Sequence, residues 1–112
     1  MQGAQLNMTA RYKLVVFVPI THADDVRNAI GQAGGGKIGN YSFCSFSSVG
    51  IGRFRPETGA NPYVGEVGKL ESVTEERIEV TLDAIVVGDV IAAMKRSHPY
   101  EEVAYDLYPL AK

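Results

Sequence analysis

Residues 98–102, His98-Pro99-Tyr100-Glu101-Glu102, place an imidazole, a phenol and two carboxylates within five positions. A neutral imidazole and a carboxylate oxygen are both donors to a divalent cation, so His98 and Glu102 form a candidate metal pair. The same stretch, through His98, Tyr100 and Glu101, is equally suited to hydrogen-bonding a small ligand. One histidine and two adjacent acids do not complete a tetrahedral site, so a metal would need further ligands from Cys44 or from a neighbouring subunit. The purely structural alternative is that Pro99 stops a helix whose last carbonyls His98 caps.

A second segment with chemical potential is Gly50 to Pro62, rich in glycine, proline and asparagine. Its glycines would let backbone approach a ligand, and Arg53 and Arg55, with Asn61 nearby, could hold an anion. It is not a phosphate-binding P-loop, because no Gly-Lys-Ser/Thr follows. A bulged connection, or an arm packing on a neighbouring subunit, explains the same composition. Cys44 reads as a small buried hydrophobe in the middle of a strand rather than as a nucleophile. Tyr100, Tyr105 and Tyr108 cluster in sequence and could stack on a nucleotide base, although half-buried strand packing is the ordinary account. Glu71, Glu75, Glu76 and Glu79 look like an acidic run but fall on both faces of their strand, and a solvated face with cross-strand pairing to Arg77 is the ordinary account. No set of nucleophile, base and orienting group is evident, so no catalytic residue is assigned.

The elements that must carry these residues follow from periodicity. Lys13 to Pro19 is a β-branched and aromatic run, predicting a central strand buried on both faces or nearly so. Thr21 is a plausible N-cap for a helix with Asp24 and Asp25 in its first turn and Val26, Ala29, Ile30 and Ala33 on its apolar face. Gly34 to Gly36 ends that helix. The alternation from Asn40 to Ser48 predicts a second strand, and short extended pieces are expected at Ile51 to Phe54 and Tyr63 to Val67. Leu70 to Leu82 is the clearest strand, with Ile78, Val80 and Leu82 inward and Arg77, Glu79 and Thr81 outward. A second helix is expected from about Val87 to Ser97, with Lys95 and Arg96 in its last turn and Pro99 beyond. Val103 to Leu110 makes a final strand. The order is β–α–β, a glycine-rich excursion, then β–α–β. Two such halves predict an α+β, ferredoxin-like βαββαβ sandwich, an antiparallel sheet with both helices on one face.

Composition sets the outer bounds. The 112 residues fit a single domain, expected over 11–112, with 1–10 disordered or cloning-derived and Met8 a candidate natural start. Thirteen acids against eleven bases give a net charge of −2, which argues against nucleic acid as a partner. The single cysteine excludes an intramolecular disulfide and suits a reducing cytoplasm. No apolar run approaches the roughly 18 residues of a membrane span, and the first residues do not read as a signal peptide. Ten of the twelve glycines fall between Gly31 and Gly68.

That glycine cluster also carries a resemblance. Ala33 to Ser42, Gly50 to Pro62, Val73 to Glu79 and His98 to Asp106 resemble, in order and spacing, four segments of the domain inserted into YqfO-type members of the Nif-three-like family. The similarity runs from about Tyr12 to Leu110. It implies a fold similar to the PII signalling and CutA-type divalent-ion-tolerance proteins, which are trimers. The expectation is therefore a homo-oligomer, trimer over dimer, that binds a small molecule or a partner protein. A divalent metal is the one cofactor the HPYEE segment allows. The resemblance also implies that full-length members carry their two-metal site on flanking lobes built from several histidines and carboxylates. With only His22 and His98 here, that chemistry does not transfer to this chain.

Overall fold

The computed structural model describes residues 10–111, so the expectation for the N-terminal stretch lies almost wholly outside the described residues. Four strands form one antiparallel sheet in the order β2-β3-β1-β4, where β1 is Arg11–Pro19, β2 Phe46–Phe54, β3 Glu71–Asp83 and β4 Tyr105–Pro109. Helix α1 (Ala23–Gln32) follows β1 and helix α2 (Val87–Ser97) follows β3, each entered through a single 3-10 turn. This is the expected βαββαβ arrangement.

The core lies between one sheet face and the two helices. Leu14, Val16 and Val18 of β1 alternate inward beside Ile78, Val80 and Leu82 of β3, and Val26 and Ile30 of α1 meet Val90 and Met94 of α2 above them. Antiparallel register places Val16 opposite Ile78 and Leu14 opposite Val80, so the inward sets coincide. Val15, on the opposite face, is also fully buried, which confirms β1 as the strand covered on both sides.

Helix α1 ends as its glycines require. Gly34 takes φ +106°, its N–H donates to Gly31, and the Gly35 N–H donates to Ile30. These are the paired bonds of a Schellman motif, which a residue with a Cβ would enter only under strain. The start of α1 differs from expectation. Thr21 does not cap it; the Thr21 hydroxyl instead meets His22 Nδ1 at 2.9 Å, and His22 occupies the N-cap position without a side-chain cap bond. The 3-10 turn at Ile20–His22 moves the N-cap on by one residue.

The segment before β2 also departs from the alternation. Residues 40–45 are not strand. Ile38 and Tyr41 exchange backbone bonds across Gly39-Asn40, and Phe43 adopts φ +58°. A tight turn and a left-handed phenylalanine break the pleat, so β2 begins only at Phe46 and runs through the glycines to Phe54. Cys44 therefore sits outside any strand, partly exposed, its N–H bonded to Gly36 O. The expected extended piece at Tyr63 to Val67 is absent; 55–70 forms a non-repetitive excursion between β2 and β3. The last strand is shorter than expected, five residues.

A candidate ligand cavity on the outer sheet face

The face of the sheet away from the helices is where the chemistry collects. A cavity of about 760 Å³ opens there, bounded by β2, the excursion and the loop after α2. Its floor comes from register. Gly50 lies opposite Glu75 and Gly52 opposite Val73, so two successive outward positions of β2 carry no side chain. Glu75 fills part of the resulting gap. Its carboxyl lies against Gly52, where an added Cβ would sit 2.1 Å from Oε1.

Glu75 is only 8% exposed. The expectation of a solvated carboxylate is therefore wrong at this position, because Glu75 packs into the space left by the β2 glycines and under Tyr100. Glu76, on the helix side, pairs with Arg27 of α1. Glu79, on the outer side, accepts a bond from Arg77 Nε at 3.1 Å, within the same strand rather than across it. That hydrogen bond, with Lys13 nearby, holds the Glu79 carboxyl below its ordinary range. Glu75 receives one hydrogen bond, from the Tyr100 hydroxyl at 3.0 Å. Burial first, then this bond and the charge of Glu75, push the Tyr100 phenol above the usual tyrosine range, so it stays a donor at neutral pH.

His98 positions Tyr100. Its ring does not cap α2 and is almost fully buried; Nε2 meets Phe17 O at 2.7 Å and Nδ1 accepts the Tyr100 N–H at 3.2 Å. This pattern requires the neutral tautomer with the proton on Nε2. Burial pushes the imidazole below its usual value, and the bond to Phe17 O and the charge of Glu75 only partly oppose this. Both ring nitrogens are thus engaged, and Glu102 is exposed at the cavity wall. Among the described residues no group of three or more His, Cys, Asp and Glu side chains is placed to hold a metal ion. The described residues of one chain do not by themselves fit a metal centre.

The other expected site residues divide. Tyr100, Glu101, Arg53 and Arg55 line the cavity, and Asn61 enters through its backbone, whose N–H donates to Glu101 Oε2 at 2.8 Å. That bond ties the excursion to the loop after α2. Arg55 lies just beyond β2 and pairs with Glu57 at 2.9 Å. The three C-terminal tyrosines do not form one platform. Tyr105 faces the helices, its ring under Lys95, and Tyr108 pairs with Lys13 on β1. Only Tyr100 reaches the cavity, where it meets Phe54 and Tyr63 at centroid distances of 6.1 and 6.3 Å. Sequence reasoning missed Glu75 and the Gly50/Gly52 floor. The signal was the pairing of Gly-x-Gly with Val-x-Glu across two strands, visible only once their register is known.

No protein-family model matches the chain. It is 60% identical over 100 residues to a GTP cyclohydrolase 1 type 2 homolog of Halalkalibacterium halodurans, covering 89% of this chain and 27% of that protein. A Bacillus cereus protein related to NIF3 superposes with a TM-score of 0.82 at 51% identity, over 97% of this chain and 28% of that one. The chain thus spans about a quarter of the length of these relatives and resembles one domain of them. The CutA divalent cation tolerance protein of Archaeoglobus fulgidus superposes with a TM-score of 0.66 at 15% identity, covering 91% of this chain and 85% of that one. That likeness is one of fold. No helix among the described residues is long and apolar enough to cross a membrane.

Proposed function

We propose that this chain, which resembles the CutA-like domain of Nif-three-like proteins, is a homo-oligomeric regulatory module that binds a small ligand in the cavity on its outer sheet face. The observation that carries the reading is the cavity itself. It is largely apolar, of small-molecule size, and has a few polar groups aimed into it. The ligand-binding residues are Arg53, Arg55, Tyr100 and Glu101, with His98 and Asn61 holding the walls in place. Assembly is supported by the β2 edge strand, where Phe46 and Val49 are 67% and 69% exposed and one edge has no strand partner among the described residues. A trimer is the assembly favoured.

Two measurements test this. A thermal-shift screen with nucleotides and small metabolites is expected to give at least one saturable stabilisation, since a ligand specific for the folded state raises apparent stability. Light scattering is expected to give a mass above that of one chain. No shift from any compound, or a strict monomer, overturns the corresponding half of the proposal.

A further inference from the structure

The cavity's own chemistry narrows its ligand, on the reading that this cavity is the binding site. Glu75 is more than nine-tenths buried and lies against the bare backbone of β2 at Gly52. A carboxylate accepts about four hydrogen bonds. Among the described residues this one receives a single bond, from Tyr100, and forms no ion pair. Arg77, the cation on the same strand face, donates its Nε–H to Glu79 instead. Glu75 lines the cavity, so the acceptor positions that Tyr100 leaves free are within reach of a ligand there. Arg53, Arg55 and Arg77 also line the cavity, but Arg55 and Arg77 are paired with Glu57 and Glu79, so against Glu75 itself an anion would be repelled and a donor or cation drawn in.

Shape supplies the second constraint. Phe54, Tyr63 and Tyr100 line the same cavity as Glu75, and Gly50, where a Cβ would meet nothing within 4 Å, leaves a flat patch of floor open beside the carboxyl. Aromatic walls over a flat floor favour a conjugated plane, and aromatic faces attract positive charge.

We propose that the cavity takes a planar amidine-type group, two N–H donors attached to one conjugated carbon, seated over Gly50 with its donor edge paired to Glu75. The class includes amidinium and guanidinium groups and the amino-substituted edge of a nitrogen heterocycle. The pairing is the mirror of an arginine fork on a carboxylate, with the fork supplied by the ligand.

The test uses benzamidine as the probe and benzoate, the same ring with an acceptor group of opposite charge, as its counterpart. Amide NMR shifts on the intact chain are expected to show benzamidine perturbing residues 50–54 and 75, with benzoate at least about tenfold weaker. Glu75→Gln keeps an acceptor for Tyr100 and removes the charge; it is expected to weaken benzamidine about tenfold. Gly50→Val fills the floor, and because a Cβ at 50 meets nothing within 4 Å the fold accepts it. This variant is expected to lose benzamidine while retaining its melting temperature. Benzoate binding as well as benzamidine, an unchanged affinity in Glu75→Gln, or no perturbation at the floor would each overturn the amidine proposal. If benzamidine fails but Gly50→Val abolishes the thermal shift of some other metabolite, the amidine class falls and the cavity reading stands. If no compound of either kind responds to Gly50→Val, both fall.

Discussion

The Tyr100 hydroxyl donates to Glu75 Oε2 at 3.0 Å, joining the loop after α2 to the middle of β3 across the outer face of the sheet. Tyr100 is the sole described donor to a nearly buried carboxyl. Tyr100→Phe is expected to lower stability by about 1–3 kcal/mol, the cost of leaving a buried polar group without its partner. Urea denaturation of the two proteins measures it. Tyr100→Phe with Glu75→Leu should recover part of the loss, since an apolar pair leaves nothing unsatisfied.

His98 sets a pH dependence whose sign follows from its burial. The folded ring has a depressed pKa, so below the unfolded value of about 6.5 the unfolded chain binds more protons than the folded one. Stability contributed by the neutral ring is full above that pH and is lost as pH falls from there through the folded pKa. Melting temperatures recorded between pH 7.5 and 5 are expected to decline on the acid side, with a shallower decline in His98→Gln. An NMR titration placing the His98 midpoint at or above the free-histidine value would contradict this.

Gly34 is the C′ residue of α1 at φ +106°, with Val86 close by. Gly34→Ala is expected to destabilise by about 1 kcal/mol or more, because alanine must enter a left-handed conformation. Gly39, also left-handed but with open space around it, offers a comparison that isolates the backbone effect from crowding at Val86. Calorimetry on the two alanine variants separates these contributions.

Met94 of α2 is fully buried within the main cluster. Met94→Ala is expected to cost about 2–5 kcal/mol, as for other large-to-small core changes. Chemical denaturation reads the difference as a shifted midpoint at unchanged slope.

Val49 lies on the helix side of β2, where neither helix shields it. Val49→Lys is expected to reduce the assembled mass seen by light scattering while leaving the melting temperature of the dissociated chain near that of wild type. Lysine on an edge strand is a common guard against pairing. An unchanged mass would place the subunit contact elsewhere.

Much of the fold was legible because its signals are local. Helix α2 ran from Val87 to Ser97 as the Val90–Met94 stripe and Pro99 predicted, and the inward set of β3 was read correctly from alternation alone. The failures came where backbone geometry overrides pattern. Phe43 alternates properly with its neighbours, yet its positive φ takes residues 40–45 out of the sheet. Side-chain reach was the other blind spot. His98 looked like a cap or a ligand because its neighbours in sequence are a helix end and two acids; its ring instead bonds Phe17 O, 81 residues away. Tyr100 and Glu101, which the HPYEE segment singles out, come to line the cavity. Glu75 could not be placed there from sequence, because its burial depends on glycines in a strand that pairs with it only after folding.

The left-handed Phe43 has a partner in α1. A Cβ at Gly31 would sit 2.1 Å from a ring carbon of Phe43, so the ring occupies the space that a side chain at 31 would need. Neither residue is favourable alone: glycine within a helix and phenylalanine at positive φ each cost stability. Together they lock the 36–45 turn onto α1. A descendant that replaced Gly31 by alanine would first have to displace Phe43, and one that lost Phe43 would leave a glycine with no reason to persist. The two positions form an epistatic pair, and substitutions at them are expected to travel through related sequences jointly or not at all.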